Sequence, residues 1–231
     1  METTIYLIRH AQAEGNWKRL FQGHTDAEVS DVGYQQLTSL SHRMQNIRFD
    51  AVYASPLARA VQTAQAVNQG VPIIIRSELV EINGGAFEGV PFCELPQRFP
   101  EAFGHWEEHP ELCVPPEGEP MAEVYARMKS AVDGIARENA GKTLAVVSHG
   151  CAIRCYLCYA SGWGIEKLRY MPWCDNTAVS KLVYDHQFLP KLIYLNDSGH
   201  LPEEQSTFAT QNWWKKVPEL PKEEPAKGEI V

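Results

Sequence analysis

Two imidazoles and two guanidinium groups stand at positions where chemistry is expected. Arg9-His10 follows directly on the apolar run Ile5 to Ile8, and Ser148-His149-Gly150 closes a second apolar run, Thr143 to Val147. A third run, Ala51 to Ala54, leads through Ser55-Pro-Leu-Ala to Arg59, in the first turn of a candidate helix. Ligand sites in open α/β sheets lie beyond the carboxyl ends of strands, and each of these residues follows such an end. Singly, a His is most often a hydrogen-bonded structural residue and an Arg a solvated one. Together, two arginine forks and two histidines around a helix start form a pocket matched to a tetrahedral dianion, with a phosphoryl group as the expected guest. A neutral imidazole can attack phosphorus, and neighbouring cations keep it neutral while stabilising the charge on the transferring group, so this chemistry calls for no metal.

The elements that must position these residues read as an alternation. Thr4–Ile8, Ala51–Ala54, Val71–Ile75 and Thr143–Val147 are uniformly apolar, as expected of strands buried on both faces. Between them lie helical patterns. Ser30 is suited to N-cap a helix whose apolar face is Tyr34, Leu37, Leu40, Met44 and Ile47. Further helices fit 57–68 and 122–139, the latter with Val124, Met128, Val132 and Ile135 as its buried stripe. The alternation predicts an α/β domain with a mainly parallel sheet. Residues 84–120, rich in Gly, Pro and aromatics, read as a lid-like excursion over one edge, in which Phe87, Phe92, Phe99, Phe103 and Trp106 either line a substrate entrance or form a satellite core. Residues 217–231, rich in Pro, Glu and Lys, read as a flexible tail.

The chain has 231 residues, 44% of them hydrophobic, which bounds it to one sizeable core. Its net charge of -8 argues against nucleic-acid or anionic-membrane partners. The first apolar run is far too short for a signal peptide or a membrane span, so a soluble, cytoplasmic protein is expected. Cys151, Cys155 and Cys158 share one helical face and, with His149, mimic a metal set; buried, reduced thiols are the simpler reading. His24, His42, His105, His109, His186 and His200 follow no ligand spacing and are taken as structural or surface residues.

Arg9-His10, Asn16, Ser55-Pro-Leu-x-Arg59-x-x-Gln-Thr63, Glu81 ahead of Gly85-Ala-Phe-Glu88-Gly89, and Ser148-His149-Gly150 occur together in this order. In this the chain resembles the histidine phosphatase superfamily, also called the phosphoglycerate mutase-like family. The resemblance implies a three-layer sandwich formed by residues 1–216, with the 84–120 insertion. It implies His10 as nucleophile, Glu81 as proton donor, and Arg9, Arg59 and His149 as the phosphate pocket. Asn16, Gln22, Gly23 and Gly150 join the phosphate and substrate side. Two departures stand out. Ala11 and Ala13 occupy places where the family has Gly and a Ser or Thr, and Gly118-Glu119-Pro120 stands where many relatives read Gly-Glu-Ser, leaving Glu119 without an evident role.

The activity implied is cofactor-free, metal-independent hydrolysis of a small phosphorylated metabolite through phosphohistidine on His10; a homodimer is compatible with this. The rivals are a cofactor-dependent phosphoglycerate mutase, and an inactive module that binds a phospho-ligand or a protein. The short, Pro-rich 84–120 segment favours hydrolysis over the first, and retention of both His and both Arg disfavours the second.

Overall fold

A computed structural model describes residues 2–211, together with 218 and 219. Six strands, β1 (Thr3–Arg9), β2 (Ala51–Ala54), β3 (Ile73–Ile75), β4 (Thr143–Ser148), β5 (Val179–Tyr184) and β6 (Pro190–Asp197), form one sheet in the order β3-β2-β4-β1-β5-β6. The β3-β2, β2-β4 and β4-β1 pairings are parallel, and β5 pairs antiparallel with both β1 and β6. Within this sheet β5 is the strand that runs against the others.

The helices are α1 (Glu14–Lys18), α2 (Asp31–Met44), α3 (Ala58–Val67), α4 (Leu95–Arg98), α5 (Pro100–Glu108), α6 (Met121–Glu138), α7 (Gly150–Ala160) and α8 (Thr207–Thr210). Alternate residues of β1 divide between the two faces of the sheet, as strand geometry requires. Ile5 and Leu7 join Val124, Met128, Val132 and Ile135 of α6 and the buried surface of α7. Tyr6 and Ile8 join Leu40 and Met44 of α2 and Ala60, Ala64 and Val67 of α3. Helix, sheet and helix therefore form three layers.

Ser30 caps α2, its Oγ accepting from Gly33 N at 3.1 Å. Tyr34, expected on the buried face, is 52% exposed, because the helix turns Leu37, Leu40 and Met44 inward instead. The run 71–75, expected to be buried on both faces, forms only the short edge strand β3, whose residues remain partly exposed because it has a neighbour on one side. Cys151, Cys155 and Cys158 are buried on α7, a helix enclosed almost all round by the core. In the 84–120 segment, Phe87, Val90, Leu95, Phe103 and Cys113 pack into the same core as α6. The tail expected at 217–231 lies outside the described residues apart from 218 and 219.

Candidate active site

The carboxyl ends of three adjacent parallel strands, β2, β4 and β1, deliver Ser55, Ser148-His149 and Arg9-His10 to one end of the sheet. Backbone bonds continue the ladder just past those ends and fix the register there: His10 N donates to Ser148 O at 3.0 Å and Ser55 N to Val147 O at 3.1 Å. Arg59 enters from the second residue of α3, and Glu81 from the connection after β3. Arg9, His10, Arg59, Glu81 and His149 are all buried.

The tautomer of His10 follows from its neighbour. His10 Nδ1 lies 2.6 Å from Ala11 O, and a carbonyl only accepts, so Nδ1 carries the proton and Nε2 keeps its lone pair. The loop around it is fixed: His10 O accepts from Asn176 Nδ2 at 3.0 Å, and Ala11 N donates to Thr63 Oγ1 at 3.0 Å. The His149 ring stands 5.0 Å from that of His10, centroid to centroid. Its Nε2 bonds Ser55 Oγ at 2.7 Å, while its Nδ1 is buried without a hydrogen-bond partner among the described residues. Burial first, then Arg59 and Arg9, push the pKa of His10 well below the usual histidine value, although the Ala11 bond opposes this. His149 is lowered likewise, by burial, Arg59, His10, Arg9 and Arg127. Both rings are therefore neutral at neutral pH.

Arg9 Nη1 donates to Cys174 O at 2.6 Å. Its guanidinium lies over the start of α7, where a Cβ on Gly150 would come within 3.3 Å of Arg9 Nε, so Gly150 leaves room for that approach. Arg59 spends Nη1 on Thr25 O at 2.7 Å and Nη2 on Gly23 O at 2.8 Å. Its Nε is buried without a partner among the described residues. Burial lowers the Arg59 pKa to about 10 against the opposing charges of Glu81, Asp26 and Glu88, which leaves it a cation at neutral pH.

Glu81 occupies the place that the sequence suggested for an anion. Its Oε2 accepts from Cys151 N, and its Oε1 from Ala152 N and Ile82 N, each at 2.9 Å. The second and third N–H groups of α7 thus point at a protein carboxylate. Asn16 also has a local task, Oδ1 accepting from Ala13 N at 3.0 Å. Gln22 packs against Gly15, and its buried Oε1 has no partner among the described residues. Glu119, left without a role by the sequence, pairs with Arg127 through both carboxylate oxygens at 2.8 Å. Arg127 in turn donates to the carbonyls of Glu78, Val80 and Glu81, and so holds the segment that carries Glu81.

Several site residues were not singled out from the sequence. Ser55 orients His149, Asn176 and Thr63 hold the His10 loop, and the carbonyls of Thr25 and Cys174 hold the arginines. Ser55 and Thr63 both belong to the motif that follows the Ala51–Ala54 run, which was the available signal; the carbonyls left none, since every residue has one. His24, taken as structural or surface, is exposed, and its Nε2 lies 3.0 Å from the backbone carbonyl of Glu81. The aromatics of 84–120 divide between the core and the wall of a cavity. Phe87 is core, while Phe92, Phe103 and Trp106, with Trp173, wall a cavity of about 450 Å³ that Lys18 and Arg19 also line. Trp173 precedes Cys174, which links that wall to Arg9. Among the described residues, no group of three or more His, Cys, Asp or Glu side chains is placed to hold a metal ion.

Known proteins are similar to this chain in sequence and fold. The model of the histidine phosphatase superfamily (branch 1) matches residues 5–198. Phosphoserine phosphatase 1 of Hydrogenobacter thermophilus is 29% identical over 201 residues, covering 86% of this chain and 94% of that protein. A broad-specificity phosphatase of Saccharomyces cerevisiae is 36% identical over 204 residues, 84% of this chain and 80% of its own. Among solved structures, YhfR of Bacillus stearothermophilus superposes with a TM-score of 0.82 at 30% identity, covering 86% of this chain and 98% of that one.

Proposed function

Since the chain belongs to the histidine phosphatase superfamily and is a hydrolase of phosphate monoesters, we propose that His10 is its nucleophile and that Arg9, Arg59 and His149 bind the phosphoryl group. The observation that carries this reading is the tautomer of His10: a buried imidazole with Nδ1–H committed to Ala11 O and a free lone pair on Nε2, between two guanidinium groups.

In the first half of the reaction His10 Nε2 attacks phosphorus, the bond to the alcohol oxygen breaks, and phosphohistidine forms. The departing alkoxide takes a proton from Glu81. In the second half a water gives its proton to Glu81 and attacks phosphorus, the P–N bond breaks, and phosphate leaves with His10 restored. Arg9 and Arg59 stabilise charge on the equatorial oxygens throughout, and the unpartnered Arg59 Nε and His149 Nδ1 are the polar atoms available to them. Asn16, Gln22, Gly23 and Gly150 shape the walls of this pocket. Oε2 takes a single N–H and Oε1 takes two, so Oε2 is the oxygen from which the proton passes to the leaving group.

We place the alcohol portion of the substrate in the aromatic cavity lined by Phe92, Trp106 and Trp173. The named activities of the relatives make phosphoserine the first small metabolite to try. No helix among the described residues is long and apolar enough to cross a membrane. Purified protein assayed against a panel of phosphomonoesters, with 3-phosphoglycerate included, should release phosphate from at least one, and His10→Ala should abolish that release. Undiminished release by His10→Ala would overturn the reading, and conversion of 3-phosphoglycerate to its 2-isomer would make a mutase of it.

A further inference from the structure

Arg59 is held by a strap. Residues 23–25 present Gly23 O and Thr25 O to its two Nη atoms; Gly23 is buried, yet His24 and Thr25 are exposed, so water competes for the polar groups of those two residues. What keeps the strap in place comes from 63 to 65 residues away in sequence. The half-buried carboxylate of Glu88 accepts from three consecutive backbone N–H groups, Gly23 at 3.2 Å, His24 at 2.8 Å and Thr25 at 3.1 Å. It also accepts from the Thr25 hydroxyl and from Gly84 N, the latter at 2.9 Å. Burial pushes the Glu88 pKa up, but bonds from Thr25, Gly84 and His24 outweigh this and hold it below the usual carboxylate range. The approach is close enough to demand glycine, since a Cβ on Gly23 would lie 2.3 Å from Glu88 Oε1 and 2.1 Å from Ile82 O. Beyond the strap, Asp26 Oδ1 accepts from Ala58 N at 2.8 Å and ties it to the start of α3.

One face of the strap therefore grips a carboxylate through its N–H groups, while its carbonyls grip a guanidinium. The Gly23–His24 peptide donates to Glu88 through His24 N and accepts from Arg59 through Gly23 O, so its dipole lies between anion and cation and reinforces both contacts. We propose that Glu88 is a positioning residue that sets the pose of Arg59 through residues 23–25, and with it the affinity of the pocket for the transferring phosphoryl group. This rests on Arg59 belonging to the phosphate pocket. It also gives Glu88 a role other than proton donor, since both of its oxygens are committed to the strap.

The test is a double-mutant cycle read by calorimetric binding of orthovanadate, an oxyanion that resembles the phosphoryl group in transit. Gln at position 88 offers one oxygen where the strap presents several donors, and turns an N–H₂ group toward the rest. Glu88→Gln should weaken vanadate binding at least tenfold in the wild-type background and less than twofold once Arg59→Ala is present. Phosphate release should fall by the same factor from an alkyl phosphate and from p-nitrophenyl phosphate, because the strap acts on the phosphoryl end. If Glu88→Gln does not fold, Thr25→Val, which removes one donor to Glu88, is read in the same cycle, and a twofold or larger loss confined to the Arg59 background supports the proposal. A folded variant with unchanged affinity, an equal loss in both backgrounds, or a selective loss on the alkyl substrate would overturn it. Should Arg59→Ala alone leave vanadate affinity unchanged, the phosphate-pocket reading itself falls, and Glu88 with it.

Discussion

Replacing Glu81 by Gln separates the two things this residue does. The carboxyl group takes three backbone N–H groups, two on Oε1 and one on Oε2. An amide can serve only one side. The favourable rotamer keeps its oxygen toward Ile82 N and Ala152 N and turns its NH₂ toward Cys151 N, leaving one buried N–H without an acceptor. That costs about 1–3 kcal/mol, which lowers the melting temperature by about 2–4 °C for each kcal/mol in a chain of this size. The fold should survive. The catalytic effect is separate: a general acid contributes about 10²–10⁴-fold where the leaving oxygen needs a proton and little where it does not. Glu81→Gln should therefore lose about that factor on an alkyl phosphate, and less than about tenfold on p-nitrophenyl phosphate. The phosphorylation step is to be followed as a pre-steady-state burst, so that slow hydrolysis of phosphohistidine does not mask it. Equal losses on both substrates would refute the acid role and leave Glu81 as the residue that closes the start of α7.

Other outcomes follow from the same contacts. Ser55→Ala leaves His149 Nε2 buried without its partner; it should lower kcat/KM by about tenfold, the equivalent of about 1.4 kcal/mol, in steady-state kinetics and cost about 1–3 kcal/mol of stability in denaturant unfolding. The pKa of His10 lies well below the usual value, so its protonation disables attack only at low pH; the acid limb of kcat/KM should fall well below pH 6.5, and a limb centred at 6.5 would contradict its burial. Stability has the same sign. His10 and His149 are neutral when folded and titrate near 6.5 when unfolded, so denaturant stability should be intact above pH 6.5 and fall below it by about 1.4 kcal/mol per histidine per pH unit until the folded values are reached. In the core, Met128→Ala should cost about 2–5 kcal/mol by denaturant unfolding, since its side chain is fully buried between α6 and the sheet.

The parts of the fold legible in the sequence were those with strong periodicity. The stripe Val124, Met128, Val132 and Ile135 marked α6, and Ser30 marked the start of α2, because capping and burial are both local signals. The pair β5 and β6 went unread. Val179–Tyr184 mixes polar and apolar residues, and its antiparallel place beside β1 is decided by long-range pairing. Tyr34 was misplaced because periodicity locates a stripe but not its edges. At the site, the side chains on strand ends were visible as His and Arg after apolar runs. What held them was not. Gly23 O, Thr25 O, Cys174 O and Ala11 O act as backbone atoms, and Glu88 reaches its strap from 63 to 65 residues away, so no local pattern records these contacts. Glu81 lay between the two: its place came from the family resemblance, whereas its three N–H partners emerge only from the fold.

The central claim is that the phosphoryl group passes through His10, and trapping it there tests this most directly. Enzyme quenched during turnover of a labelled phosphomonoester should carry one phosphoramidate, stable to alkali and labile to acid, on the peptide containing His10. The label should vanish in His10→Ala while persisting in Glu81→Gln with a poorly hydrolysed intermediate. Label retained by His10→Ala, or found on a residue other than His10, would contradict the account.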